Sequence, residues 1–169
     1  NAEKELEKAS ENISFISEMA LLTRMNWWTV EYGLIGNLKN YKIYGAGLLS
    51  SVSESENCFS SKIKKIPFSL KCLNYKYDIT EQQPQLFITK NYKNLKSELI
   101  KLSNMMAYKR GGEYGLKEAI KAKTVCTMEI DKNIQISGIV SNYIKNSSNK
   151  ISFVKLIGPC QICIDSQQL

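Results

Sequence analysis

A single carboxylate lies among aromatic residues near the start of the chain. Glu31 stands in the segment NWWTVEYGLIG (residues 26–36), close to Trp27, Trp28 and Tyr32. A carboxylate in apolar surroundings is costly to bury unless it is paired or bound to a cation. Its spacing leaves three alternatives open: an exposed side chain, an ion pair with a lysine, or a cation ligand.

Two cysteines form a second pattern of chemical interest. Cys160 and Cys163 have the C-x-x-C spacing of redox dithiols and of half a zinc site. A zinc site needs a second pair or histidines, and a thioredoxin-like dithiol lies between a strand and a helix. This pair instead falls within a run typical of a strand. We therefore predict that both thiols are structural.

The chain contains no histidine, and its basic residues are dispersed. Histidine is the commonest metal ligand and the usual general base near neutral pH, so any chemistry here proceeds without an imidazole of this chain. The net charge is +7, but the densest lysine cluster, KIKK at residues 62–65, is short. No helix combines a basic stripe with stacking aromatics, so nucleic-acid binding ranks last among the functions considered.

The sequence shows no pattern typical of a targeting signal. No apolar run reaches the roughly 18–20 residues that cross a bilayer, and the charged start, NAEKELEKASEN, does not resemble a signal peptide. The five cysteines are odd in number and irregularly spaced, which favours reduced thiols. We expect a cytoplasmic protein without a membrane or nucleic-acid partner.

Hydrophobic periodicity predicts an α+β fold, mainly helical at first and ending in a small antiparallel β tail. Residues 2–35 have apolar residues at helical steps, residues 91–109 form a second amphipathic helix, and residues 116–122 form a shorter one. The runs TVCTMEI, IQISGIVSNYI and ISFVKLIGPCQICI that follow are β-type and separated by turns. We therefore predict two domains, residues 1–122 and a β-rich tail of residues 123–169.

Glycines and prolines mark the connections in the first part. NLKNYK (37–42) is predicted to be a loop or a hairpin connection. The two glycines of KIYGAGLLSS (42–51) allow a close backbone approach. VSESENCFSSKIKKIP (52–67) is expected to hold a short helix that ends before its proline, and CLNYKYDITEQQPQLFIT (72–89) to hold extended pieces around a turn.

Three segments together resemble the pterin-dependent aromatic amino acid hydroxylases. WWTVEYGLIG, KIYGAGLLSS and YDITEQQPQLFIT occur in the family's order and at about its spacing, across residues 18–110. The pattern is most similar to the bacterial phenylalanine-4-hydroxylase-like branch, in an extended form that would include the β tail. The resemblance implies a monooxygenase that uses non-haem Fe(II), tetrahydrobiopterin and O₂ to hydroxylate an aromatic amino acid, phenylalanine in the nearest relatives.

The resemblance also assigns roles to individual residues. The family holds its iron with two histidines and one glutamate, and the glutamate of its T-V-E-[FY]-G motif corresponds to Glu31. Trp27, Gly47, Ser50 and Ser51 correspond to positions that line the amino-acid pocket. Ser50 would also support a histidine ligand through a hydrogen bond. No pterin-binding residue is assigned.

The chain keeps some of the remaining family pattern and departs from the rest. Tyr77 corresponds to a tyrosine at the mouth of the active site, and Glu81 and Pro84 keep a mainly structural T-E-x-Q-P pattern. Asn26 stands where many members have a tyrosine at the pterin pocket, and Ser53 replaces a glycine. Both histidine ligands belong to an H-D-x-x-G-H-type motif expected upstream of residue 1.

Two functions therefore stay open at the level of sequence. The first is an enzyme whose iron site needs an upstream histidine-bearing fragment or domain as partner. The second is a truncated or decayed relative that keeps the scaffold and acts as a structural or interaction module. Iron retention and activity distinguish the two.

Overall fold

The computed structural model describes residues 5, 15–131 and 133–169 of the chain. These residues form two units, one of residues 16–104 and another that includes residues 105–169. Six α-helices and two four-stranded sheets are present in the described part, so the predicted α+β class is confirmed.

The first unit opens with helix α1 (Glu18–Asn26), which continues into one π-helical turn (Trp27–Glu31). The Ser17 hydroxyl caps α1 by accepting a hydrogen bond from the Ala20 amide at 3.1 Å. The helix predicted over residues 2–35 is thus confirmed from residue 18 to residue 31. It is wrong at residues 15–17, which are not helical, and at residues 33–35, which form a strand. Its part before residue 15 lies outside the described residues except for the helical Glu5.

A mixed sheet forms the centre of the first unit. Its strands are β1 (Gly33–Asn37), β2 (Asn40–Ile43), β3 (Lys64–Pro67) and β4 (Gln85–Thr89), in the order β2-β1-β4-β3. Strands β1 and β2 form an antiparallel hairpin, whereas β1, β4 and β3 run parallel. The Asn37 side chain closes the hairpin by accepting from the amides of Lys39 and Asn40. The hairpin alternative for residues 37–42 is therefore confirmed.

Helices connect and cover these strands. They are α2 (Ala46–Ser50), α3 (Val52–Asn57), a 3₁₀ helix (Leu70–Asn74) and α4 (Tyr92–Met105). The predicted helix over residues 91–109 is confirmed as α4, but it is interrupted at Met106. Glu98 of α4 is buried, and its carboxylate accepts from the Leu70 amide at 3.0 Å and pairs with Lys101. This contact satisfies a free N–H at the start of the 3₁₀ helix.

The core of the first unit forms between the sheet and α2. Leu34 of β1, Leu48 of α2 and Leu86 and Ile88 of β4 are buried together with Cys58. Four consecutive residues of β4, from Leu86 to Thr89, are buried. Continuous burial of this kind is typical of a strand flanked by parallel neighbours.

The second unit contains two helices and an antiparallel sheet. The helices are α5 (Ala107–Arg110) and α6 (Gly112–Ala122), and the strands are β5 (Val125–Asp131), β6 (Ile134–Lys145), β7 (Ile151–Ile164) and β8 (Gln167–Gln168). The strands follow chain order in the sheet. The antiparallel β tail and the short helix are confirmed, and the helix begins four residues earlier than predicted. The domain division at residue 122 stays a prediction.

Within the described residues, no helix combines the length and the apolar character that a membrane crossing requires.

Candidate active site

The π-helical turn places Trp27 and Glu31 almost one turn apart. The Tyr32 amide donates to the Trp27 carbonyl at 2.8 Å, which is the i to i+5 hydrogen bond of a π-helix. The Thr29 hydroxyl donates to the Met25 carbonyl at 2.6 Å and so occupies a backbone acceptor of α1. Single π-helical turns inside α-helices occur frequently at functional sites. Sequence periodicity could not predict this turn, because it does not separate α from π spacing over five residues.

Two tyrosine rings stack on Trp27. The ring centroids of Trp27 and Tyr32 are 4.6 Å apart, and those of Trp27 and Tyr77 are 4.5 Å apart, both with nearly parallel planes. The structure thus brings together two residues, Trp27 and Tyr77, that the sequence placed in one site. The Trp27 indole nitrogen is buried and has no hydrogen-bond partner among the described residues.

Trp28 supports this aromatic cluster from the core. It is fully buried, packs against Phe87 at a centroid distance of 5.2 Å, and meets the edge of Tyr77 at 6.4 Å. Its indole N–H donates to the Tyr75 carbonyl at 3.4 Å. The two adjacent tryptophans therefore differ in role: Trp28 anchors the turn, and Trp27 presents its half-buried side chain beside Glu31.

Helix α2 approaches the π-helical turn through its glycines. A Cβ atom at Gly45 would lie 2.4 Å from the Glu31 carbonyl oxygen, and one at Gly47 would lie 3.0 Å from the Tyr32 ring. Real Cβ atoms do not tolerate the first distance, so only glycine allows this approach. The close backbone approach predicted for KIYGAGLLSS is confirmed, and it places Gly47 next to the turn that carries Glu31.

The two serines at the end of α2 make local hydrogen bonds. The Ser50 hydroxyl is exposed and donates to the Gly47 carbonyl at 3.1 Å. The Ser51 hydroxyl caps α3 by accepting from the Glu54 amide at 3.4 Å, and it lies 3.2 Å from the Ser53 hydroxyl. These contacts fix the geometry of the loop, while the pocket role of Ser50 and Ser51 stays a prediction.

Glu54 is a nearby acid that the sequence interpretation missed. Burial raises its pKa, and burial together with the charges of Glu54 and Glu31 raises the pKa of the Tyr32 phenol. Two carboxylates therefore influence one tyrosine beside the stacked aromatics. The signal that could have revealed Glu54 is the Ser51-x-x-Glu54 spacing, which matches a capping box at the start of α3.

The Glu31 carboxylate is half-buried and lacks a protein partner. No ion pair or hydrogen bond of its side chain occurs among the described residues, in contrast to Glu98 and Glu113, which are both paired with lysines. The lysine ion pair considered from sequence is therefore not found in this part of the chain. An exposed carboxylate and a cation ligand remain.

Among the described residues, Glu31 would suit an iron site as one ligand of a larger set. In the part of the chain that the structure describes, no three His, Cys, Asp or Glu side chains form a metal-binding group, and the sequence has no histidine. A free carboxylate next to a glycine-built approach suits one oxygen ligand of a two-histidine, one-carboxylate site. The other ligands must come from outside these residues.

The C-x-x-C pair belongs to the second unit. Cys160 and Cys163 both belong to β7, as predicted, and all five cysteines are free. Cys163 is paired with Gln135 in the sheet, while the Cys160 sulfur lies 3.3 Å from a Cβ built at Gly138. Their structural role stays a prediction.

The chain is similar to one protein family and to several individual proteins. The family of biopterin-dependent aromatic amino acid hydroxylases matches residues 3–151. Protein henna of Drosophila melanogaster is 33% identical over 122 residues, which are 72% of this chain and 26% of henna. The phenylalanine-4-hydroxylase of Chromobacterium violaceum is 38% identical over 82 residues, which are 47% of this chain and 28% of that enzyme. The chain thus spans only about a quarter of these relatives' length.

Solved structures include similar proteins. Phenylalanine hydroxylase from Legionella pneumophila is 34% identical and gives a TM-score of 0.49, covering 60% of this chain and 42% of that one. The iron- and phenylalanine-bound C. violaceum enzyme is 34% identical with a TM-score of 0.47, covering 53% and 36%. A further C. violaceum structure contains iron(III) and 7,8-dihydrobiopterin. Because the family match extends over most of the sequence, the chain belongs to the biopterin-dependent aromatic amino acid hydroxylases and represents part of their catalytic domain.

Proposed function

We propose that this chain supplies one part of the active site of an iron- and tetrahydropterin-dependent monooxygenase that hydroxylates the ring of phenylalanine. The observation that carries the proposal is the Glu31 carboxylate. It stands half-buried at the end of a π-helical turn, beside stacked aromatic rings, without an ion pair or hydrogen bond among the described residues. A carboxylate without a protein partner in partly apolar surroundings favours a bound cation.

Glu31 would serve as one iron ligand in this function. A carboxylate oxygen is a suitable ligand for Fe(II) in a facial triad with two histidines. Both histidines would come from an upstream histidine-bearing fragment or domain of the same protein. When bound, the iron and tetrahydrobiopterin supply the activation of O₂ for ring hydroxylation.

The neighbouring residues would position the amino acid. Trp27 is held in place by two stacked tyrosines, so the substrate ring would meet the edge of its indole and not a free face. Gly47 allows α2 to pack closely against the turn, and Ser50 and Ser51 shape the chain on that side. The cap that Ser51 provides at the start of α3 would help to keep this part of the pocket wall in place.

The test is the substitution Glu31→Gln in a protein that joins this chain to a histidine-bearing upstream segment. The change keeps side-chain size but removes the charge, so we expect at least a tenfold loss of iron after anaerobic Fe(II) loading and loss of phenylalanine hydroxylation. The matched control is Glu56→Gln, an exposed glutamate of α3 outside the site. Iron and activity that survive Glu31→Gln would disprove the assignment.

A non-catalytic relative is the second candidate, favoured by the histidine-free sequence and by Asn26 and Ser53 at divergent family positions. Iron content of this chain, alone and mixed with the histidine-bearing segment, separates the two functions. Iron bound only in the mixture supports the enzyme. No iron in either sample supports the non-catalytic scaffold.

A further inference from the structure

A cavity of about 560 Å³ lies in the first unit, where the three parallel strands of the sheet end. Its lining includes Asn37 at the end of β1, Pro67 at the end of β3 and Lys90 directly after β4. The crevice outside the carboxyl ends of parallel strands is a common ligand position in open sheets. None of the predicted hydroxylase-site residues lines this cavity, so it is separate from the site around Glu31.

The floor of the cavity is apolar and belongs to the core. Phe68 is 5% exposed and Ile88 is 4% exposed, and both contribute to the lining together with Pro67 and Leu38. Ile88 is part of the buried cluster between the sheet and α2. A floor of this kind is rigid, and the volume falls within the range of small-molecule pockets.

The rim of the cavity is positively charged. Lys39 and Lys90 both line it, both are exposed, and neither has an ion pair with a carboxylate in the described part of the chain. No Asp or Glu belongs to the lining, whereas Asn94 adds an uncharged amide from the first turn of α4. The lining therefore combines two lysines with apolar residues and contains no carboxylate.

We propose that this cavity binds a small organic carboxylate with an apolar body. The ammonium groups of Lys39 and Lys90 hold the carboxylate, and Phe68 and Ile88 pack against the apolar part. An inorganic anion would leave the floor uncovered, and a neutral apolar molecule would leave both charges unused. The combination of the two surfaces thus selects a ligand that has both features.

Equilibrium dialysis of the 169-residue chain with radiolabelled benzoate tests the proposal. Benzoate carries one carboxylate on one flat apolar ring, and benzyl alcohol is its neutral analogue. The test variant is Lys39→Gln/Lys90→Gln. The matched control is Lys42→Gln/Lys62→Gln, which removes the same charge at two exposed lysines outside the cavity. Circular dichroism checks that both variants keep the fold.

We expect benzoate to bind with a stoichiometry of one and an affinity that falls as salt rises. The cavity variant should bind at least about fivefold more weakly, and the control variant should stay within about twofold of the unmodified chain. Benzyl alcohol should bind at least about fivefold more weakly than benzoate. Absence of benzoate binding at about 10 mM, equal losses in both variants, or equal binding of the two probes would overturn the proposal.

Discussion

Trp27 is held by ring stacking. Its indole N–H contributes no hydrogen bond, since it has no partner among the described residues. Each stacked aromatic pair contributes about 0.5–1.5 kcal/mol beyond simple burial. Trp27→Leu removes the pairs with Tyr32 and Tyr77, so we expect it to lower the free energy of unfolding by about 1–3 kcal/mol from stacking alone. Urea unfolding followed by circular dichroism measures this loss.

Two further variants define what the stacking contributes. Phe59→Leu breaks one stacked pair, with Tyr41, at an exposed site, and should cost less than Trp27→Leu. Trp27→Phe keeps an aromatic ring and removes the unpartnered N–H, so it should also cost less. If Trp27→Leu destabilises the chain no more than Phe59→Leu does, stacking on Trp27 does not contribute the predicted stability.

The buried thiol of Cys72 makes the stability of the first unit fall with rising pH in the alkaline range. Burial, followed by the charge of Glu98, raises the pKa of its thiol from 9.0 to about 12. Between these values the unfolded chain releases the thiol proton while the folded chain retains it, so stability falls as pH rises through this window. Relative to Cys72→Ala, the chain should lose about 1.4 kcal/mol of unfolding free energy between about pH 8 and pH 10.

Comparison with the alanine variant isolates this single group, because all other titrating groups are shared and cancel. Chemical denaturation at the two pH values supplies both numbers. Cys160→Ala, which removes an exposed thiol of the other unit, serves as a second comparison for the effect of losing a thiol. An unchanged difference between the chain and Cys72→Ala would show that the thiol titrates near its ordinary pKa.

The glycine of the α2 N-terminus controls how closely that helix approaches the π-helical turn. In Gly45→Ala the new methyl group would meet the Glu31 carbonyl oxygen at 2.4 Å and the Gly33 nitrogen at 2.5 Å. Both atoms are backbone and cannot move aside cheaply, so we expect a loss of about 1–3 kcal/mol in the free energy of unfolding. Thermal or urea unfolding measures it.

Gly115→Ala is the opposite case and serves as the control. Gly115 lies inside α6, and its new methyl group would be 3.6 Å from the nearest atom, an ordinary contact. Replacing a helical glycine with alanine stabilises by about 0.5–1 kcal/mol. Equal effects of the two substitutions would mean that the tight approach at Gly45 does not exist.

Helix α6 is joined to strand β6 by one carboxylate. Glu113 pairs with Lys117 at 2.8 Å and Lys145 at 2.5 Å, and it accepts from the Tyr143 hydroxyl at 2.9 Å. Its hydrogen bonds with Lys117, then Lys145, then Tyr143 lower its pKa from 4.5 to about 2. The stabilisation is therefore complete above about pH 4.5 and is lost as pH falls towards 2.

Glu113→Gln should accordingly lower the melting temperature at neutral pH and flatten its decline between about pH 5 and pH 3. Glu118→Gln is the matched control, since the partner of Glu118 among the described residues is Lys121 on the same helix. Thermal melts of both variants at the two pH values provide the comparison. A steeper acid decline in Glu113→Gln than in the unmodified chain would contradict the lowered pKa of Glu113.

The elements that the sequence predicted well are those with long, regular patterns. The β tail was predictable because β-branched residues recur between clear turns, and α4 was predictable from its apolar face. Strand β1 was missed because its residues LIGN follow a helical pattern with only Gly33 between them. Its parallel partner β4 lies about fifty residues away, at Gln85–Thr89. Pairing over that distance leaves no local signal.

The candidate site was also only partly predictable from the sequence. The motif around Glu31 indicated the residues, and the structure adds the contact between Trp27 and Tyr77 and the proximity of Glu54. Those residues belong to the π-helical turn, the segment before β4 and α3, so no local pattern could predict that they come together. The cavity near Lys39 and Lys90 likewise arises only where three strand ends meet.

Exposed apolar residues on α1 determine how the whole chain behaves in solution. Met19 and Leu22 of α1 are exposed, as is Ile16 just before the helix, and Met19 is 70% exposed. Large exposed apolar patches drive association. We therefore predict that the 169-residue chain alone self-associates in a concentration-dependent manner, as measured by size-exclusion chromatography with light scattering.

Substitutions on this helix identify the surface responsible. Met19→Lys/Leu22→Lys introduces two charges into the patch and should shift the chain towards the monomer mass of 19.2 kDa. Leu49→Lys/Val52→Lys adds the same charge at two other exposed apolar residues, on α2 and α3, and should shift it less. If the unmodified chain is already a monodisperse monomer, the α1 surface is not an association site, and its apolar residues are tolerated by solvent as isolated side chains.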